Sequence, residues 1–489
     1  MVDASDLQYR IFKFCRTTGT LISETVILEP GGKIAGYSHP NERSWAVENG
    51  NLVFKNGHGA ITTVFDKWQQ LGDRYQFLGR FLPGGDKHFH LLVEVAEPGP
   101  PLSSERPVRL KCAGFDDLIR AGAEYYRPSR DTEPTINAAF GTIDDTSNDF
   151  VVLEDAVLTP NCGIAWNGLW ICDDIQYAPA SWRTANWLPG RFDVATNTLI
   201  SDELRTEPKL VFEGPLFFVD TGVGNRNYGH FVHDSLPYGL LFKEAAERIP
   251  GMRPLIVPLR FRSQMDLFGA VFGIDPENCV NNLPDAPALV RRLVVARRQT
   301  DFVGERWRTS FAGLRHARDA ATRSWARPWT APPACSIAFE EQTTTVSDIQ
   351  EAERISGPDL KVYLYRRPGT IPTEGLQVGR DFDNIDALGR LLLDNGFIAF
   401  DPGAVPLPEI VPLLQHAKQV VSVHGAGLAN VLFCRPRTRV FEIRSPWGAW
   451  RSLEALSTVL GHDFTALQQS LPDEAEIPRI DLDELIALL

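Results

Sequence analysis

From Lys361 to about residue 465 the chain alternates apolar extended runs with helical stretches, and that alternation constrains the fold more than any other feature of the sequence. KVYLYRR, FIAF, QVVSVH and RVFEI read as strands, with helices expected over 383–395, over 407–418, from Gly427 and from Ala449. Four strand-helix units in about 100 residues require crossover connections, hence a parallel sheet and one Rossmann-like domain. A similar texture begins near residue 150, where VVLEDAVLTP, GLWICDD, LFFVD, PLIVP and LVRRLVVARR surround helical stretches at 238–248 and 261–272. A second parallel sheet is expected there. Two such sheets in series place a cleft at the carboxyl ends of their strands, where open α/β sheets bind ligands.

Residues 25–95 differ, with short runs rich in Val, Ile, Thr and aromatics punctuated by Gly, Asn and Pro. They predict a small antiparallel β domain. Within it, Asn49-Gly50 and Asn56-Gly57 stand where tight hairpins want positive φ at both turn residues. The Pro- and Ser-rich EPGPPLSSERP and the polar stretches that follow it read as a connection. The expected organisation is an accessory β domain at 1–105, a linker at 106–149, a Rossmann-like domain at 150–345, a second Rossmann-like domain at 346–465 and a tail helix at 466–489. On that tail, Ile480, Leu485 and Leu488 or Leu489 form an apolar face expected to dock on the body.

Composition narrows the partners. Lys and Arg number 49 against 62 Asp and Glu, a formal charge of -13, which disfavours a sequence-independent grip on nucleic acid or anionic lipid. The start lacks an apolar signal core, and no stretch is long enough to span a bilayer, so a soluble, unsecreted protein is expected. Seven scattered cysteines without a C-x-x-C pair fit a reducing cytoplasm.

Two segments carry chemistry. In Val423-His424-Gly425-Ala426-Gly427-Leu428-Ala429-Asn430 a strand runs into two glycines and a helix, so backbone N–H groups can cradle a phosphate approaching the main chain. An esterase oxyanion loop of similar spelling would need a G-x-S-x-G elbow, which the chain lacks. A dinucleotide fingerprint, with Glu442 as its ribose acid, stays open as an alternative. Glu442 closes a strand where a carboxylate can accept both ribose hydroxyls, unless it only pairs with Arg444 or Arg451. Arg366 and Arg367 close another strand and Arg380 precedes a helix, positions that suit contact with a diphosphate. Asp381 and Asp383 spell a D-x-D metal motif, but Asp383 reads better as a helix N-cap.

In the second segment, Asn227-Tyr228-Gly229-His230-Phe231-Val232-His233-Asp234, His230 and Asp234 are four apart, so one helical turn stacks an imidazole on a carboxylate that orients it as a base. A capped, packed helix start is the structural alternative. A zinc site of His230, His233 and Asp234 is disfavoured because only two of the three share a helical face. His88 and His90, on one face of a strand, read as structural.

These segments, with RR followed by GRDFDNIDAL, LPEIVPLLQHAKQVVSVHGAGLANVLF and VFEI in that order, resemble glycosyltransferase family 61 over about residues 150–465. The family occurs among bacterial capsule and lipopolysaccharide proteins and eukaryotic N-acetylglucosaminyl and xylosyl transferases. The resemblance implies a GT-B fold, a nucleotide-sugar donor with a UDP-sugar favoured, inversion at the anomeric carbon and no obligatory metal or other cofactor. By position, Arg366 or Arg367, Arg380, Asn384, His424, Gly425, Ala426, Gly427, Asn430 and Glu442 match its donor motif. Asn227, Tyr228, His230 and Asp234 match the acceptor-side motif, His230 as base or Asp234 as its direct rival. Where the family commonly has Glu-Gln before H-G-A-G, this chain has Glu409-Ile410. The implied partners are the donor and a glycan or lipid-linked glycan acceptor, at the cytoplasmic face of the membrane. A dinucleotide oxidoreductase and an inactive carbohydrate-binding scaffold are the other classes the sequence allows.

Overall fold

The computed structural model describes residues 3–489 apart from 95–107, 172–190, 281–286, 326–337, 344–359, 367–381, 446–450, 470–477 and runs of at most four residues. Ile11–Glu94 form eight strands in the order Ile34–Ala35, Leu21–Leu28, Ile11–Arg16, Phe89–Glu94, Arg74–Phe81, Ile61–Leu71, Asn51–Lys55, Ser44–Glu48. Every neighbouring pair is antiparallel. The outer strands meet: Lys33 bridges to Ser44, and Trp45 Nε1 donates to the Glu29 carbonyl at 2.8 Å. Closure hides Phe12, Phe14, Phe54, Phe65 and Phe77 inside, with edge-to-face pairs such as Phe54 and Phe65 at 5.1 Å.

Asn49 and Gly50 form the expected tight hairpin, with φ of 51° and 77°. The second expected turn is longer. Asn56 Oδ1 accepts from His58 N and Ala60 N, and the positive φ falls on Gly59 rather than on Asn56-Gly57. An Asn side chain that bonds its own backbone competes with the two-residue turn.

The expected linker at 106–149 is instead built into sheets. It holds strands Val108–Ala113, Glu124–Tyr126, Ile136–Ala138 and Gly141–Asp145 and the helix Phe115–Arg120. Polar letters dominate the segment, but Leu110, Phe115, Leu118 and Ile143 are buried, and four well-spaced apolar residues suffice to hold short elements.

The sheet expected to be parallel from residue 150 is mixed. Its longest pairing, Phe150–Leu158 with Ala288–Ala296, is antiparallel. Leu216–Phe218, parallel to both Arg253–Leu255 and Ala288–Ala296, is reached through the helices Tyr238–Arg248 and Arg262–Phe272, and Leu210–Phe212 and Leu169–Ile171 add short parallel pairs. Continuous apolar runs report burial on both faces of a strand, not its direction.

The C-terminal sheet is wholly parallel, in the order Phe397–Phe400, Leu360–Leu364, Ala417–Val423, Arg439–Arg444, Asp463–Gln468. Numbered along the chain this is 2-1-3-4-5, a doubly wound order whose switch point lies between Leu360–Leu364 and Ala417–Val423. The two α/β parts share one apolar core, to which Phe217, Leu241 and Leu314 contribute from one side and Val362, Leu414 and Val421 from the other. Gln415 Nε2 donates across to Thr322 Oγ1 at 3.0 Å. The tail docks through Ile480 and Leu485, whereas Leu488 is exposed. Among the described residues no helix is long and apolar enough to cross a membrane.

Candidate active site

After the strand Leu216–Phe218, Asn227 caps a short helix, its Oδ1 accepting from Gly229 N at 2.9 Å and His230 N at 3.3 Å. The next turn, Phe231–Ser235, is a π-turn closed by Leu236 N donating to the Phe231 carbonyl at 3.1 Å. Pro237 has no N–H to give the His233 carbonyl four residues back; Thr300 Oγ1 donates to that carbonyl instead. Ser235 Oγ ties the turn to the Asp220 carbonyl at 2.8 Å.

The wider turn gathers three side chains. His230 Nδ1 lies 2.8 Å from Asp234 Oδ2, the pair the spacing predicts, and His233 Nδ1 lies 2.7 Å from Asp234 Oδ1. The expectation that only two of the three could meet assumed α-helical geometry and is corrected by the π-turn. Asp234 and His233 are buried, His233 with its ring 6.4 Å from that of Trp307, while 27% of the His230 side chain is exposed. Burial pushes the Asp234 carboxyl up, but the charge and hydrogen bonds of His233 and His230 outweigh it and hold the group well below the usual carboxylate range.

The glycine turn leaves Val423 at the end of its strand, and His424 N still donates to the Ile443 carbonyl at 2.8 Å. The expected helix from Gly427 is a 3₁₀ helix, Ala426–Phe433. Asn430 Nδ2 donates to the Gly427 carbonyl at 2.8 Å, which fixes the turn. Arg366 crosses Gly425 and donates to the His424 carbonyl at 3.2 Å; a Cβ on Gly425 would stand 3.4 Å from Arg366 Cδ. Arg366, His424 and Gly425 thus follow the two strands that flank the switch point.

The two motifs touch. Tyr228 Oη donates to Asn430 Oδ1 at 2.9 Å, and a Cβ on Gly229 would lie 3.4 Å from Ala426 Cα.

Glu442, expected to offer its carboxylate to the cleft, is wholly buried. One oxygen meets His424 Nδ1 and the other Arg444 Nε, and Arg444 continues to Glu454 at 2.9 Å. The alternation of the strand points Glu442 and Arg444 to the same side, so the partner weighed for a surface pair is an interior one. Asn384, expected at the donor, clasps the tail through Ile480, donating to its carbonyl and accepting from its N–H, both at 2.9 Å. Asp383 is not the expected N-cap: Asn384 holds that position and Asp383 pairs with Arg479 at 3.3 Å. Ile410, standing where the resemblance has Gln, is buried in the core. Arg367, Arg380 and Asp381 lie outside the described residues. Sequence reasoning passed over Glu454, and weighed His233 only as a disfavoured zinc ligand and Arg444 only as a surface partner; the adjacent His-Asp pair, Pro237 three residues after Asp234, and Glu-x-Arg on a strand were the available signals.

Residues 228–441 match the family model described as Glycosyltransferase 61, in agreement with the resemblance read from the motifs. The match supports glycosyl transfer as the chemistry of this segment, with a sugar donor and an acceptor as substrates. The match begins at Tyr228, so the N-terminal sheet and the first strands of the mixed sheet lie outside it. No curated protein matches the chain.

Proposed function

We propose that the chain is an inverting, GT-B-type glycosyltransferase that moves a hexosyl or pentosyl group from a nucleotide sugar, a UDP-sugar favoured, to a hydroxyl of a glycan or lipid-linked glycan in cell-surface polysaccharide synthesis at the cytoplasmic face of the membrane. The observation that carries this reading is the direct contact, through Tyr228 and Asn430, of a His-Asp cluster from one α/β part with a glycine turn at the switch point of the other. A single displacement needs both halves at once: a base for the acceptor and positive charge for the departing diphosphate.

His230 is the base in this reading. Both Asp234 oxygens already accept from imidazoles, so Asp234 holds His230 and stabilises its charged form, and Nε2 of His230 takes the proton. The acceptor oxygen then bonds to the anomeric carbon from the side opposite the nucleotide. The bond to the diphosphate breaks with its electron pair leaving on the diphosphate oxygen, where Arg366 and the N–H groups of the turn offset the charge. The dinucleotide reading is disfavoured because its ribose acid, Glu442, has both oxygens engaged in the interior.

A thermal-shift panel of UDP-, GDP- and CMP-sugars against NAD(H) and NADP(H) tests the donor class, and stabilisation by the nicotinamide set alone would sink it. His230→Ala should lower turnover roughly 10²-fold or more with donor affinity little changed. Transfer should survive EDTA largely intact. A wild-type rate equal to that of His230→Ala across a broad acceptor panel would favour a carbohydrate-binding scaffold.

A further inference from the structure

His230, His233 and Asp234 also make up a ligand set. Each offers one atom, and the three atoms lie within 4.8 Å of one another. The two Nδ1 atoms stand 2.8 and 2.7 Å from the oxygens of a single carboxylate. Ligands about 2.0–2.2 Å from a common ion and roughly a right angle apart have nearly that separation. Two imidazoles and a carboxylate leave further coordination positions for water, as in zinc sites of the open kind. Contacts around the cluster orient its ligands: Thr300 holds the His233 carbonyl, the Trp307 ring stands beside the His233 ring, and Asn227 caps the helix beneath His230. The partly exposed His230 gives the cluster an opening, since His233 and Asp234 are covered.

We propose that this cluster is an inhibitory site for a divalent transition metal of the zinc class, one that replaces the two hydrogen bonds to Asp234. The inference rests on His230 as the base. A neutral imidazole that binds a cation through Nδ1 carries its proton on Nε2, so His230 loses the lone pair that would accept the acceptor's proton. The ion therefore stops transfer while leaving the Arg366 and glycine-turn side of the site untouched. The metal is not a requirement of the reaction but a competitor of its proton.

The test uses the full chain without an affinity tag, stripped by a chelator that is then removed. Co²⁺ is titrated and its visible d–d absorption followed, with Zn²⁺ added in competition and transfer measured on the same samples. One saturable Co²⁺ per chain is expected, displaced by the tighter-binding Zn²⁺, with the transfer rate falling in step with occupancy and recovering in EDTA. His233→Gln and His230→Gln should each weaken Co²⁺ binding by about 10-fold or more. Because His233 is buried, the His230 variant, judged folded by its melting curve and nucleotide binding, keeps the test decisive. Absence of saturable uptake, uptake unchanged in both variants, or transfer that persists at full occupancy would each overturn the proposal. Specific Co²⁺ uptake by a chain with no detectable transfer would remove the base reading, and the inhibition with it, leaving only the metal ligands.

Discussion

At the scale of single residues the instructive one is Glu442. A carboxylate ending a strand above a cleft invites a role in gripping ribose, yet this one lies between His424 and Arg444, with Glu454 completing the row. Its work is to orient the His424 ring and neutralise a buried guanidinium. Glu442→Gln should therefore destabilise the fold by about 3–5 kcal/mol, because Arg444 then stays buried with only part of its compensation. Nucleotide affinity should fall with it as His424 loses its orientation. Chemical denaturation and donor titration on the same variant separate the roles: a ribose contact would cost affinity at unchanged stability, and that outcome would restore the cleft reading. The sequence showed that Glu442 lies on a strand and that Arg444 is two residues on, but the strand continues to Arg444 rather than ending at Glu442. Which side of the sheet that face covers depends on how the neighbouring helix Ser452–Val459 packs, and spacing does not carry that information.

At the scale of elements, four strands from Lys361 onward and their helices were readable because each is a continuous apolar run or a period-3.6 pattern bounded by Gly, Asn or Pro, whereas the fifth strand, Asp463–Gln468, with one buried residue, carries no such run. The π-turn was not. Positions i, i+3 and i+4 are read on an α-helix by default, and the widening depends on Thr300, 67 residues away, to satisfy the carbonyl that Pro237 leaves without a donor. Proline at that position was the local sign that the ladder breaks. Two residues before His230 stands Tyr228, whose bond to Asn430 is a polar link between the short helix Tyr228–His230 and the glycine turn. Tyr228→Phe keeps the ring and removes only that bond. Stability should fall by about 1 kcal/mol, whereas turnover at saturating donor should fall on the order of 10-fold, since small displacements of a base from its reacting atom are costly. Melting curves and kcat on the purified variant check this. A loss of stability with kcat intact would reduce the bond to packing.

At the scale of the whole molecule, closure of the N-terminal sheet was hidden because it joins distant strands: Phe12 pairs with Glu94, and Lys33 bridges to Ser44. Local alternation shows that strands exist but not that the first meets the last. Closure has a consequence for acid stability. His90 is sealed inside beside Thr63 Oγ1, and burial, reinforced by the positive charges of Arg16, His39 and His88, lowers it to about 4. His462, in the C-terminal part, is likewise lowered to about 4, mainly by burial. Both ordinary values are 6.5, so between pH 6.5 and about 4 the unfolded chain binds protons that the folded chain refuses. The sign follows: stability is fully present above 6.5 and drains away as the pH falls toward 4, by up to about 3 kcal/mol for each histidine. The two side chains sit in different parts of the molecule, so the losses are separable. In His90→Asn, which cannot take up the proton, the transition of the N-terminal sheet should lose most of its pH dependence across that window, while the transition of the α/β body keeps its own. Scanning calorimetry of wild type and variant at several pH values reads both transitions. If the N-terminal transition of the variant shifted with pH as steeply as that of the wild type, His90 would not be the group that couples the closed sheet to acid.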